Sequence, residues 1–358
     1  MSTLFPPLGA ETGAVLEGFS ALVDTVFPLP QRFRRGLPRD VAELSRLLTA
    51  GRGDRPDAYL GRPAMLSAYL RYFLPWNLYR LSRLLPALAL PLSAGAALID
   101  LGSGPLTLPL ALWISRPDLR ELPLDFRCLD RTGAVLDAGK ELFYALAGRD
   151  SPWTIRTIRA SLGTPLKGPG ANLVTALNVF NEIFWPDHRM LSTLAEKNAR
   201  LLSALSSEGG SILVVEPGIP RSGEFIGALR ASLADRGRMP ATPCPHAGVC
   251  PFPGRRPGKS SAKWCHFSFE TEDAPQVLHR LSAAAGLPKE RATLSFLLAG
   301  PGSTEGSDTT ANRANGPPAG GEMLPVRIIS DPFPVPSGYG RYGCSGLGAV
   351  LLVGTRQA

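Results

Sequence analysis

The sequence predicts an α/β fold: a mostly parallel sheet with helices on both faces, preceded by a helical region and carrying a cysteine-rich metal-binding insertion. Three observations predict it. Between Ala96 and Glu216, five apolar runs of strand length alternate with helical stretches, the rhythm that builds parallel sheets. The first run ends in Asp100-Leu101-Gly102-Ser103-Gly104, where glycine lets a strand turn sharply into a helix. After the fifth run, three of the five cysteines fall between Cys244 and Cys265, and thiolates at such density select soft metals.

At 358 residues the chain is long enough for about two to three domains. The expected division is a helical region over 1–90, a core over 91–240, the cysteine-rich insertion over 241–270 and late core strands over 271–358. A composition of 44% hydrophobic and 19% charged residues suits a large core. The net charge of +8 favours an anionic partner such as RNA. Five cysteines without an even framework do not suggest a secreted disulfide scaffold. The stretch Met1–Phe27 has three acids and no Lys or Arg, the wrong charge for a signal or transit peptide. The most apolar run, Leu84–Leu101, is broken by Pro86, Pro91, Ser93 and Asp100, so no membrane span is expected. A bacterial-type cytoplasmic protein follows as the simplest expectation.

In the N-terminal third, Val15, Leu16, Phe19, Leu22, Val23 and Val26 recur at helical spacing. Pro38-Arg39-Asp40 opens a second helix that runs to Leu48. A third tract, Pro63–Leu85, carries five aromatic residues, and Pro75 is expected to kink or split it. Arg62, Arg71, Arg80 and Arg83 lie along that tract without an acidic residue beside them. Two readings stay open: an RNA-facing surface of interleaved basic and aromatic residues, or core aromatics beneath a solvated arginine face.

Asp100, at the end of the first strand, stands where open α/β sheets bind ligands. The pattern Asp-x-Gly-x-Gly resembles that of class I S-adenosylmethionine-dependent methyltransferases, with a Rossmann-like sheet. That resemblance implies that Gly102, Ser103 and Gly104 pack against the cofactor; where a third glycine is common this chain has Leu106. Leu124–Leu129 is the second strand, ending at Asp130, whose carboxylate is placed for ribose hydroxyls. The third strand, Trp153–Ile158, leads to Ser161 and Leu162, where such enzymes often contact adenine. The fourth, Asn172–Leu177, ends at Asn178, which completes the expected cofactor set. The helix Asp187–Ser206 then precedes strand five, Gly210–Glu216. No catalytic base stands out, and the turn after strand four lacks the Asn/Asp-Pro-Pro-aromatic signature of exocyclic-amine methyltransferases.

The cysteine stretch reads Pro243-Cys244-Pro245-His246-Ala247-Gly248-Val249-Cys250-Pro251, answered by Trp264-Cys265-His266-Phe267. The intervals of five and fourteen residues are not the C-x-x-C of zinc ribbons. Arg255, Arg256, Lys259 and Lys263 fill the loop between them. His246 and His266 are candidate fourth ligands, and Cys344 in Gly340-Arg341-Tyr342-Gly343-Cys344-Ser345 is a better one. The run Gly348–Val353 after it reads as a buried terminal strand, and Cys128 as a core cysteine. Thr293–Leu298 and Val326–Ser330 are expected as late strands, separated by a low-complexity, disordered insertion over Gly300–Gly321.

Taken with Val214-Val215-Glu216-Pro217-Gly218 and Asp331-Pro332, these motifs resemble the mitochondrial small-ribosomal-subunit methyltransferase-like family and its bacterial relatives. The resemblance covers most of the chain from Pro63 onward. It implies a class I methyltransferase fold, a [4Fe–4S] cluster on Cys244, Cys250, Cys265 and Cys344, bound S-adenosylmethionine, and partnership with the small ribosomal subunit and its rRNA, with no membrane or DNA partner.

Three functions are therefore expected in competition. The first is an iron–sulfur, S-adenosylmethionine-binding protein that methylates rRNA or assists subunit assembly. The second is a non-enzymatic rRNA-binding assembly factor with a vestigial cofactor pocket. The third is a zinc-stabilised methyltransferase of small molecules.

Overall fold

The computed structural model describes residues 4–49, 59–183, 190–254, 263–302 and 324–355. It divides into two compact units, each made of two chain segments: Met1–Phe184 with Phe269–Ala292, and Trp185–Ser268 with Thr293–Ala358.

The first unit opens with helices α1 (Ala10–Val26), α2 (Gln31–Arg34), α3 (Leu37–Leu48), α4 (Pro63–Ala68) and α5 (Leu74–Leu84). One stripe of α1, Leu16, Phe19 and Val23, is buried, as its periodicity requires. Pro75 neither breaks nor splits the long tract. A π-helical turn, Tyr69–Phe73, precedes it and joins α4 to α5, absorbing the bond a proline without an N–H cannot make.

The aromatic residues of this tract are core. Tyr72, Trp76 and Tyr79 are almost wholly buried. Tyr72 Oη donates to Leu287 O at 3.3 Å, Trp76 Nε1 to Ser282 Oγ at 3.2 Å, and Tyr79 Oη to Asp273 Oδ1 at 2.5 Å. Three of the four arginines are ties rather than a free basic face. Arg71 pairs with Asp24 at 2.9 Å, Arg83 with Asp273 at 2.8 Å, and Arg62 with Glu43 at 3.7 Å. Their partners lie far away in sequence, so the absence of local acids misled. Arg80 alone among the four has no carboxylate partner among the described residues.

The sheet of the first unit is built from β1 (Ala97–Leu101), α6 (Thr107–Ser115), β2 (Asp125–Asp130), α7 (Gly133–Ala147), β3 (Thr154–Arg159) and β4 (Ala171–Leu177). Its strands run parallel in the order β3-β2-β1-β4. The chain therefore leaves β1 toward one edge and returns on its other side as β4. That reversal opens a crevice at the carboxyl ends of β1 and β4, the usual ligand position in such sheets. Helix α6 is buried on nearly every face.

The second unit begins with α8 (Met190–Leu205), β5 (Ser206–Pro217), α9 (Pro220–Ala234), β6 (Arg238–Thr242), β7 (Pro253–Gly254) and β8 (Lys263–Trp264). The first three residues of the helix expected from Asp187 lie outside the described residues. After β9 (Phe267–Glu270) and α10 (Gln276–Ala284), which belongs to the first unit, comes β10 (Arg291–Pro301). Strand β10 lies between β5 and β6, antiparallel to both.

A separate four-stranded antiparallel sheet holds β11 (Val326–Ile328), β12 (Phe333–Val335), β13 (Gly338–Ser345) and β14 (Gly348–Thr355). Strand β14 is not the buried strand that its apolar sequence predicts: Leu351 is 50% and Val353 49% exposed. Among the described residues it pairs only with β13, and apolar composition alone does not say what covers a strand. Most of the low-complexity insertion, residues 303–321, and Arg255, Arg256 and Lys259 lie outside the described residues. Among the described residues no helix is long and apolar enough to cross a membrane.

Candidate cofactor and cysteine sites

The first candidate site lies wholly in the first unit, at the turn from β1 into α6. Gly102 and Gly104 take φ of +62° and +53°, and Leu106 takes +54°. The position where a third glycine is common thus keeps a left-handed backbone and fills it with a buried leucine, a strain of roughly 1–2 kcal/mol. The turn is clamped on two sides. A Cβ on Gly102 would stand 2.5 Å from Val179 Cγ2, and one on Gly139 of α7 would stand 2.3 Å from the carbonyl carbon of Pro105. Gly104 is buried but less tightly clamped: a Cβ there would meet Tyr69 Oη at 3.9 Å and Thr107 Oγ1 at 4.0 Å, ordinary contact distances.

Asp100 is buried, and Thr175, its register partner on β4, donates to Oδ1 at 2.5 Å. Among the described residues neither Oδ2 nor the buried Ser103 Oγ makes a hydrogen bond of normal geometry, although the hydroxyl is near enough to act on the carboxyl. Burial pushes the Asp100 carboxyl up to about 6, an effect softened by Ser103 and Thr175 and reinforced by Asp130. Asp130 holds the turn itself: its Oδ2 accepts the Gly104 N–H at 3.1 Å and its Oδ1 the Thr132 N–H at 2.8 Å. Each carboxylate oxygen keeps a second lone pair for a ligand hydroxyl. Asn178 sits at the end of β4 with φ of +56°, a conformation asparagine tolerates better than most residues. Ser161 and Leu162 follow β3 on an exposed loop.

A buried carboxylate oxygen and a hydroxyl without geometric partners among the described residues, at a tight glycine turn, fit a ligand with a cationic amino group and hydroxyls, as S-adenosylmethionine has. Thr175 and Tyr69 escaped the sequence reading. Thr175 was visible only once Asp100 had a cross-strand partner, and Tyr69 reaches the loop from a helix some thirty residues earlier.

The second candidate site lies wholly in the second unit. Cys244, Cys250, Cys265 and Cys344 line one cavity of about 470 Å³, mouth included, with Phe252, Phe296 and Ile329. They come from separate places: the loop after β6, the residue after β8, and β13. Burial pushes the Cys244, Cys265 and Cys344 thiols up, Cys344 to about 12, with further increments from neighbouring thiols and relief from Arg230. Arg230 of α9 is buried; its Nε donates to Cys244 Sγ at 3.2 Å and its Nη2 to His246 O at 2.8 Å. His246 Nε2 lies 3.2 Å from Cys344 Sγ. His266 instead stacks on Trp264 at 4.8 Å between centroids, and Trp264 fits against Gly223, where a Cβ would stand 2.5 Å from its ring.

Among the described residues no group of three or more His, Cys, Asp or Glu is set to hold a single metal ion. The donor chemistry of the cavity, four thiols facing a buried guanidinium, nevertheless fits an anionic thiolate-bound group. Cys128 lies apart, fully buried on β2 opposite Asp100. Arg230 also escaped the sequence reading, since nothing local distinguishes it from the other arginines of a helix.

A family model described as mitochondrial small ribosomal subunit Rsm22 matches residues 68–332. The match contains the glycine turn and three of the cavity cysteines and ends before Cys344. No curated protein matches the chain. Similar solved structures are methyltransferases. A S-adenosylmethionine-dependent methyltransferase from Thiobacillus denitrificans, solved with S-adenosyl-L-homocysteine, is 13% identical over 63% of this chain and 91% of its own, with a TM-score of 0.37. Magnesium protoporphyrin IX methyltransferase from Synechocystis PCC 6803 is 12% identical over 73% and 99%, with a TM-score of 0.38. Geranyl diphosphate C-methyltransferase from Streptomyces coelicolor is 14% identical over 69% and 88%, at 0.35.

Proposed function

The chain belongs to the mitochondrial small ribosomal subunit Rsm22 family, and from that premise we propose that it is a S-adenosylmethionine-binding, methyltransferase-like protein that acts on the small ribosomal subunit in the cytoplasm. The observation that carries the cofactor assignment is the buried Asp100 Oδ2, without a hydrogen bond of normal geometry among the described residues, at the left-handed glycine turn. When bound, S-adenosylmethionine supplies an electrophilic methyl group. Asp100, Ser103, Gly102 and Gly104 would hold its amino-acid end, Asp130 and Asn178 its ribose, and Ser161 and Leu162 its adenine. The chain's own work is positioning, which suffices for methyl transfer to an aligned acceptor.

Cys244, Cys250, Cys265 and Cys344 would hold a [4Fe–4S] cluster, one thiolate to each iron. Arg230 offsets the charge of that set, and the cluster would tie β13 to the loop after β6. Protein purified without oxygen is expected to contain iron and labile sulfide; zinc in their place would sink the cluster.

The state of Asp100 gives a further expected result. A carboxyl raised from 3.8 to about 6 favours folding fully below the lower value, and that contribution is lost as pH rises through the upper. Asp100→Asn should therefore gain up to about 3 kcal/mol of stability at pH 8 and none near pH 3. Cofactor affinity should move the other way, falling in the variant and falling in wild type below pH 6. Urea midpoints and calorimetric titrations across pH test both; a pH-independent affinity would remove Asp100 from the site.

A second reading, an assembly factor that does not methylate, is favoured by the two backbone N–H groups already on Asp130. Methyl incorporation into small subunits incubated with the protein and radiolabelled cofactor separates them. Co-sedimentation without incorporation supports the second reading, and the absence of both would overturn the ribosomal reading for this chain.

A further inference from the structure

Arg80 and Lys289 are two half-buried cations that both lie against Trp76, and neither has an ion-pair partner among the described residues. Arg80 makes one hydrogen bond, from Nε to Trp76 O at 3.3 Å, which leaves both terminal nitrogens of its guanidinium unpaired among the described residues. Its three companions on the same helical tract are all tied to carboxylates. Lys289 Nζ stands 5.8 Å from the ring centroids of Tyr72 and of Trp76, and makes no ion pair among the described residues. Burial, with Arg80 as the second cause, brings the Lys289 ammonium down to about 8, so the two charges feel each other. Burial likewise lowers Arg80, and Tyr72 and Tyr69 partly restore it.

Folding two like charges together in partial burial costs free energy unless something of opposite sign completes the arrangement. The helical tract that carries Arg80 also carries Tyr69, whose hydroxyl lies 3.9 Å from where a Cβ on Gly104 would stand. A planar guanidinium fixed at Nε presents its other two nitrogens as a fork, the geometry that meets phosphate oxygens in pairs.

We propose that Arg80 and Lys289 form a substrate subsite that binds one phosphodiester of the RNA whose methyl-accepting or docking nucleotide meets the glycine turn. The subsite rests on the ribosomal reading above and gives it a location. The same oxyanion chemistry is offered by a small phosphorylated metabolite. The net charge of +8 favours the polymer.

The test uses the full-length protein and a fluorescent single-stranded RNA of about twelve nucleotides, titrated between about 50 and 200 mM salt. Arg80→Gln and Lys289→Gln should each weaken binding about tenfold and reduce the slope of log affinity against log salt by about one. Lys289→Arg should keep most of the affinity. Calorimetric binding of S-adenosylmethionine should be unchanged in all three, and thermal melting should not fall, which separates a lost contact from a damaged fold. Adenosine monophosphate should compete only weakly; competition as strong as that of the RNA would overturn the assignment to a polymer. Wild type and variants that bind RNA equally would overturn the subsite alone. Wild type that binds no RNA would overturn the subsite and the ribosomal reading together.

Discussion

Gly139→Ala is expected to destabilise the first unit by about 3 kcal/mol, although alanine is the better helix former by about 1 kcal/mol. The added Cβ would stand 2.3 Å from Pro105 C, 2.6 Å from Pro105 O and 2.7 Å from Leu106 N. All three are backbone atoms, so no side chain can swing aside. Either α7 moves off the sheet or the turn after β1 changes shape, and the second carries Gly104 and Ser103 with it. The variant should thus lose cofactor affinity more steeply than its stability loss alone implies. Chemical denaturation and calorimetry on the same preparation measure both. A variant within about 1 kcal/mol of wild type would show that the α7–turn contact relaxes freely.

Cys344→Ser is the second large effect expected. If the four cavity thiols hold a cluster, the serine variant should lose most of its iron and sulfide, and its melting temperature should fall by more than about 10 °C. Cys128→Ser should keep its iron, because Cys128 is buried on β2 in the other unit. The pair separates loss of a ligand from loss of any thiol. Iron retained in Cys344→Ser would point to His246, 3.2 Å from the same sulfur, as a substitute ligand. Cys344→Ser with His246→Ala would then decide the matter, since retention in the double variant would exclude Cys344 from the set.

Much of this architecture was legible in the residues. The turn at Gly102-Ser103-Gly104 reads directly because a strand that bends so sharply needs left-handed backbone, and few residues supply it. The cysteines read because their type is rare in the chain and clustered. Less legible was anything decided by a partner distant in sequence. Arg71, Arg83 and Arg62 look like a free basic face until Asp24, Asp273 and Glu43 arrive from other segments. The apolar run of β14 has a strand's composition, and composition does not reveal that one strand is its only pairing partner among the described residues. Leu106 in a left-handed conformation defies the local preference altogether; the buried site of its side chain holds it there.

The interrupted course of the chain has a consequence for how the protein is made. Trp76 meets Ser282 across 206 residues and Tyr72 meets Leu287 across 215. These two hydrogen bonds cannot both form until residue 287 has left the ribosome, well after the parallel strands have been synthesised. Contacts of such span close slowly, because loop entropy must be overcome before they stabilise anything. A nascent chain halted before that point would leave Tyr72 and Trp76 without these partners, although α1 and α6 are already in place against α5.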